Sequence, residues 1–153
     1  MMARMWICLL FPLLVASDCP MGWTEYAEKC YFFSQMKETW IAASTFCQSY
    51  NSKLAEPQNT DEIDFLIGKV LHLANDHWVG VTDIIMENHW VYDSSLTPIR
   101  NNNWGPHEPN GQHGENCVVM AQGYHGKYAD VDCHTARGFI CEKEAIFEGT
   151  IIG

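Results

Sequence analysis

Four oxygen-bearing side chains gather late in this chain of 153 residues: Glu108 and Asn110 on either side of Pro109, then Glu115, then Asp130. Asp132 adds one more acid just before Cys133. Carboxylates mixed with a neutral amide suit a hard cation such as calcium, which takes roughly six to eight oxygens from side chains, backbone carbonyls and water. A free loop would lose much conformational entropy in closing around an ion. Cys117 follows Glu115 by two residues and Cys133 follows Asp130 by three. A bridge between those two cysteines would bring the acidic groups together. Composition leaves another reading open, because scattered loop acids are more often a solvated surface.

Other chemistries find less to work with. His107 and His113 flank the oxygen ligands and could touch a bound molecule, but they read first as exposed polar loop residues. No pair of histidines at helical spacing encloses a glutamate, as zinc catalysis would need. No Gly-x-Ser-x-Gly elbow or phosphate-cradling glycine loop occurs either. A secreted hydrolase with a carboxylate pair is a rival on acids alone. No recognisable catalytic arrangement supports it, and the expectation is a protein that is not an enzyme.

Placing these residues is the work of a small exported domain. Residues 1–17 read as a secretory signal: Arg4, an apolar run from Met5 to Ala16, and small residues at Val15, Ala16 and Ser17, with cleavage before Asp18. The run is too short for a membrane span, and no later segment has the length for one. Residues 18–143 form one domain and 144–153 a tail. Without Arg4 the chain has eight basic against 19 acidic residues, a net charge of −11. That balance repels nucleic acid and anionic membranes. Cys8 leaves with the signal, so six of the seven cysteines remain, an even number suited to disulfides in an oxidising compartment. Spacing alone cannot choose among the possible pairings.

The expected class is α+β, two helices with small antiparallel sheets and a long loop. Trp23 to Tyr26 and Cys30 to Phe33 read as a hairpin. Trp40, Ala43, Cys47 and Tyr50 mark an amphipathic helix from about Glu38 to Tyr50. Asn59 caps a second helix whose stripe is Ile63, Leu66, Ile67, Val70 and Leu71, with Glu62 three residues after the cap. Strands are expected at Trp78 to Val81, His89 to Tyr92, Cys117 to Met120 and Gly138 to Cys141. Residues 94–114 remain loop-like, a length that is usually functional or disordered.

From Cys19 to Glu142 the chain resembles the long-form C-type lectin domain. The resemblance rests on an N-terminal cysteine pair, two helices, the Trp78-Val79-Gly80-Val81 strand, Glu108-Pro109-Asn110 in a long loop, and four core cysteines. It implies the pairs Cys19–Cys30, Cys47–Cys141 and Cys117–Cys133. It also implies a calcium ion held by Glu108, Asn110, Glu115 and Asp130, with Glu108, Asn110 and Glu115 contacting sugar. In the family the proline of this motif is usually cis, and two vicinal sugar hydroxyls coordinate the ion. Glu-Pro-Asn implies equatorial 3- and 4-hydroxyls, as in mannose, whereas the Gln-Pro-Asp of galactose binders is absent. One departure stands out. Where the family has Trp-Asn-Asp, this chain has Tyr128-Ala129-Asp130, losing an amide that serves both calcium and sugar. Asp83 and Glu87 match two ligands of a second, structural calcium, but Gly111 and Asn116 replace two others, so that site is expected to be weak or empty.

The expected function is calcium-dependent recognition of mannose-type glycans, by analogy soluble pattern recognition of microbial surfaces in innate immunity. Single-site sugar affinity is weak, so a homo-oligomer would supply avidity. A calcium-independent protein- or mineral-binding module on the same fold is the alternative that Ala129 favours.

Overall fold

The computed structural model describes residues 17–147, so residues 1–16 of the expected signal and the end of the tail lie outside it. The strands are β1 (Ser17–Asp18), β2 (Thr24–Tyr26), β3 (Lys29–Glu38), β4 (Lys53–Leu54), β5 (His77–Thr82), β6 (Val91–Tyr92), β7 (Cys117–Ala121), β8 (Lys127–Val131), β9 (Arg137–Glu144) and β10 (Ile146–Phe147). The helices are α1 (Trp40–Ser49) and α2 (Thr60–Leu73). One sheet of eight strands runs β2-β3-β9-β5-β7-β8, with β4 added to β9 and β6 to β5. β1 and β10 form a separate antiparallel pair. The sheet is mixed where small antiparallel sheets were expected: β5 lies parallel to β9, His77 opposite Gly138 and Trp78 opposite Phe139.

Local chemistry sets the helix boundaries. Thr39 caps α1 by accepting from the Ala42 N–H, which moves its start past the expected Glu38. Glu38 instead ends the ten-residue β3. Asn59 Oδ1 accepts from the Glu62 N–H at 2.9 Å, and Glu62 Oε2 accepts from the Gln58 N–H at 2.8 Å. The first bond satisfies an orphan donor of the helix start, the second ties down the residue before the cap, and Asp61 and Glu62 sit well at the positive end of the helix dipole.

Strand alternation divides the core into two layers. On one face Leu66 and Val70 of α2 pack with Tyr31, Val79, Val81, Val118, Met120, Tyr128 and Ile140. On the other Trp40, Ala43 and Cys47 of α1 pack with Trp78, Val119 and Phe139. With both faces covered, β5 and β7 are buried at every position. Disulfides join Cys19 to Cys30, Cys47 to Cys141 and Cys117 to Cys133. The second closes a loop of 94 positions, for which the chain-entropy model gives about 4–5 kcal/mol of stabilisation. The third ties the start of β7 to the segment after β8, beside the acids that follow.

Candidate functional site

The long loop is anchored along its length. Pro98 bridges Val91, and the Ile99 N–H donates to the Trp90 carbonyl at 3.1 Å. Trp104 bridges Tyr128, and the Tyr128 N–H donates to the Asn103 carbonyl at 2.7 Å. β8, the strand that receives it, was not evident from periodicity. Past this anchor the Glu108–Pro109 peptide is cis, and the chain turns back over β8.

There Asp130 organises the loop. It is only 4 % exposed. Its Oδ1 accepts from the Asn110 N–H and its Oδ2 from the Gly111 N–H, both at 2.8 Å. Asn110 Nδ2 donates to Glu108 Oε1 at 3.0 Å. Glu108 Oε2 is buried with no hydrogen-bond partner. Glu108, Asn110 and Asp130 are thus brought into one polar cluster. Glu115 folds against Gly111, and its side chain occupies the space that a Cβ on Gly111 would need. Burial and the Asp130 carboxylate beside it push the Glu108 carboxyl up to about 7. Burial, with Asp130 and Asp132 adding repulsion, also raises Glu115. Among the described residues no Lys, Arg or His forms an ion pair with Glu108, Glu115 or Asp130.

Crowded carboxylates without a counter-ion, one with an orphaned buried oxygen, fit a hard cation bound through oxygen. The set is gathered but not closed: among the described residues no three His, Cys, Asp or Glu side chains stand at metal-binding spacing. Glu115, turned onto Gly111, is the group that would have to swing. Gly111 itself has ordinary helical torsions, φ −90° and ψ −5°, so its lack of a side chain matters for space and not for backbone freedom. The methyl of Gly111→Ala would meet the Glu115 Cβ, which no side-chain rotation clears, so the loop is expected to shift and calcium binding to weaken about tenfold, or about 1.4 kcal/mol. Thermal stability in chelator should fall as well, because the same overlap strains the ion-free loop. Calcium titration and a melting curve check both halves.

The expected second calcium pair lies close by but is held by protein groups. Asp83, 2 % exposed, accepts from the Asn88 N–H at 2.8 Å. With its amide oriented to satisfy both neighbours, Asn116 Nδ2 donates to Asp83 Oδ1 at 3.0 Å and to the Gln112 carbonyl at 3.2 Å. Glu87 Oε2 faces His113 Nδ1 at 2.8 Å. Protein groups thus contact both Asp83 oxygens and Glu87 Oε2. His113 is exposed apart from that contact, and His107 is exposed with a left-handed φ of 64°.

Ala129 is placed differently from the sequence expectation. It sits opposite Val119 in β8 and belongs to the core layer of Trp40 and Trp78, 6 % exposed. Tyr128 and Asp130 alternate to the other face, so the side chain at position 129 is packed. An asparagine there would bury an amide, at about 1–3 kcal/mol without a partner. Ala129→Asn is therefore expected to lower the melting temperature in chelator, with recovery in calcium only where the amide reaches the ion. An unchanged melting temperature in chelator would show that the position is open after all.

A cavity of about 350 Å³ opens beside the cluster, lined by Glu87, Asn88, Trp90, Pro109, Asn110, Gln112, His113 and Asp130. Asn88 and Trp90 were missed from sequence. The run from His89 to Tyr92 reads as a strand, yet only Val91–Tyr92 pairs, and Trp90 becomes a wall of the cavity.

Residues 36–143 match the family model described as the lectin C-type domain. This chain belongs to the C-type lectin domain family. A mouse relative, the low affinity immunoglobulin epsilon Fc receptor, is 33 % identical over 149 residues, covering 95 % of this chain and 44 % of the receptor. The chain thus spans less than half the length of that relative. The C-type carbohydrate-recognition domain of cow CD23, solved in the presence of a GlcNAc2Man3 oligosaccharide, superposes with a TM-score of 0.78 at 30 % identity, covering 86 % of this chain and 99 % of that one. A calcium-independent type II antifreeze protein superposes with a TM-score of 0.77 at 25 % identity, covering 86 % and 98 %. A calcium-independent protein thus shares this fold. Among the described residues no helix is long and apolar enough to cross a membrane.

Proposed function

We propose that this C-type lectin domain binds mannose-type sugars through a calcium ion held by Glu108, Asn110, Glu115 and Asp130, without turnover of the ligand. The carrying observation is the Glu108–Asn110 pair, an acceptor-only carboxylate bonded at 3.0 Å to an amide donor, with its other oxygen buried and unpartnered. A vicinal diol replaces that internal bond: one hydroxyl donates to Glu108 and its neighbour accepts from Asn110. The order of acceptor and donor along the loop sets which stereochemistry fits. Calcium, when bound, supplies direct coordination for the two hydroxyls and offsets the repulsion among the acids. Asp130 fixes the loop that carries both groups. The oligosaccharide named with the cow CD23 domain supports the same sugar class.

Three disulfides suit an exported protein, and we read the chain as a secreted domain that meets glycans on microbial surfaces, in copies linked for avidity. A glycan array in calcium should favour mannose, N-acetylglucosamine and fucose over galactose. Preference for galactose would overturn the reading of Glu108 and Asn110.

One observation favours a calcium-independent surface-binding module instead. Asp130 already closes the loop with the Asn110 and Gly111 N–H groups alone, and a calcium-independent antifreeze protein shares the fold. On that reading, ligand binding survives chelator.

A further inference from the structure

A second concavity of about 430 Å³ adjoins the first, and Asn88 and Trp90 line both. Its apolar surface comes from Trp90, Ile99 and Trp104 and its edge from Arg100 and Asn102. Backbone bonds hold the walls: Ile99 N–H to the Trp90 carbonyl, and the bridge between Val91 and Pro98. Trp90 and Trp104 meet edge to face at 4.9 Å, and Trp104 rests edge to face on the buried Tyr128 at 5.9 Å. The groove is therefore preformed, and its volume falls in the range of roughly 300–1,000 Å³ typical of small-ligand sites.

We propose that this groove is a second sugar subsite, holding the next pyranose of a glycan whose terminal residue occupies the Glu108–Asn110 site. The inference rests on the function proposed above and deepens it: the preferred ligand has at least two sugar residues. A pyranose has an apolar C–H face ringed by hydroxyls, which matches an aromatic floor with a polar edge. Arg100 and Asn102 are exposed, and among the described residues Arg100 has no ion-pair partner. Their donors stand free for hydroxyls. Continuity through Trp90 and Asn88 favours a covalent extension of the first sugar over an unrelated molecule.

The test compares methyl α-mannoside, an α-linked mannobiose and octyl α-mannoside by isothermal titration in calcium. Wild type and the double variant Arg100→Ala/Asn102→Ala are used, both changes lying outside the first site. Wild type should bind mannobiose about tenfold tighter than methyl mannoside. The variant should lose most of that advantage and keep methyl mannoside affinity within about twofold. The indole N–H resonances of Trp90 and Trp104 should shift further with mannobiose than with methyl mannoside in both proteins. Equal affinity of wild type for the two sugars overturns the subsite and leaves the first site standing. So does a Trp104 resonance indifferent to the second sugar. A preference for octyl mannoside over mannobiose would assign the groove to an apolar tail and overturn it too. If no mannoside binds in calcium, the function proposed above falls and the subsite with it.

Discussion

Asp130→Asn should remove calcium-dependent sugar binding, weakening calcium affinity by about a hundredfold or more. Asp130 has two tasks at one carboxylate. It accepts the backbone N–H groups of Asn110 and Gly111 at 2.8 Å each, and it lends charge to the cluster of Glu108 and Glu115. The substitution keeps the size but turns one acceptor into a donor facing a backbone N–H. Charged hydrogen bonds contribute about 1.5–3 kcal/mol apiece, so losing one of them and the charge accounts for the hundredfold. The loop should loosen as well, at about 1–3 kcal/mol of stability in chelator. Asp132→Asn is the control. Asp132 is exposed and accepts from the His134 N–H at 2.9 Å, so its variant should bind calcium as wild type does. Isothermal titration of both variants decides the matter. If Asp130→Asn retains wild-type affinity, or Asp132→Asn loses it, the ligand set is misassigned.

Calcium affinity should also fall steeply between pH 7.5 and 5.5, by about 25-fold for one displaced proton with an ion-free pKa near 7. The proton belongs to Glu108, whose carboxyl is raised to about 7 from the ordinary 4.5 by burial and by Asp130. A raised carboxyl favours its protonated form in the folded protein. Its contribution to stability is thus fully present below about 4.5 and is lost as pH rises through about 7. The ion-free domain consequently loses stability toward neutral pH from this group, and calcium, by binding the carboxylate, restores it. Glu115 is shifted the same way and steepens the fall. Melting curves with and without calcium should diverge most at neutral pH and converge near pH 5. Glu108→Gln should bind calcium weakly and flatten the profile. A wild-type affinity flat across this window would remove Glu108 from the ligand set.

What the sequence disclosed follows from the range of each interaction. α2 was legible because its cap Asn59, its acid Glu62 and its stripe from Ile63 to Val70 are local. Glu108, Asn110 and Asp130 were legible as a motif, and the structure brings them together. β8 was hidden because Lys127 to Val131 alternates too briefly, and its partners β7 and Trp104 are fixed only by the fold. The parallel pairing of β5 with β9 joins segments about sixty residues apart, which no local period reports. Trp90 read as a strand residue because aromatic runs favour strands, whereas its ring walls two cavities. Ala129 could be matched to a family position from its neighbours, but which face of the strand it occupies depends on the register with Val119.

Glu108, Asn110, Glu115 and Asp130 are proposed to bind calcium, and sugar to bind through it. Titrating methyl α-mannoside into the domain, first in millimolar calcium and then in excess chelator, tests this directly. The prediction is weak but measurable binding in calcium and none in chelator, restored when calcium is returned. Equal binding in both conditions would contradict it and assign this surface to the calcium-independent reading.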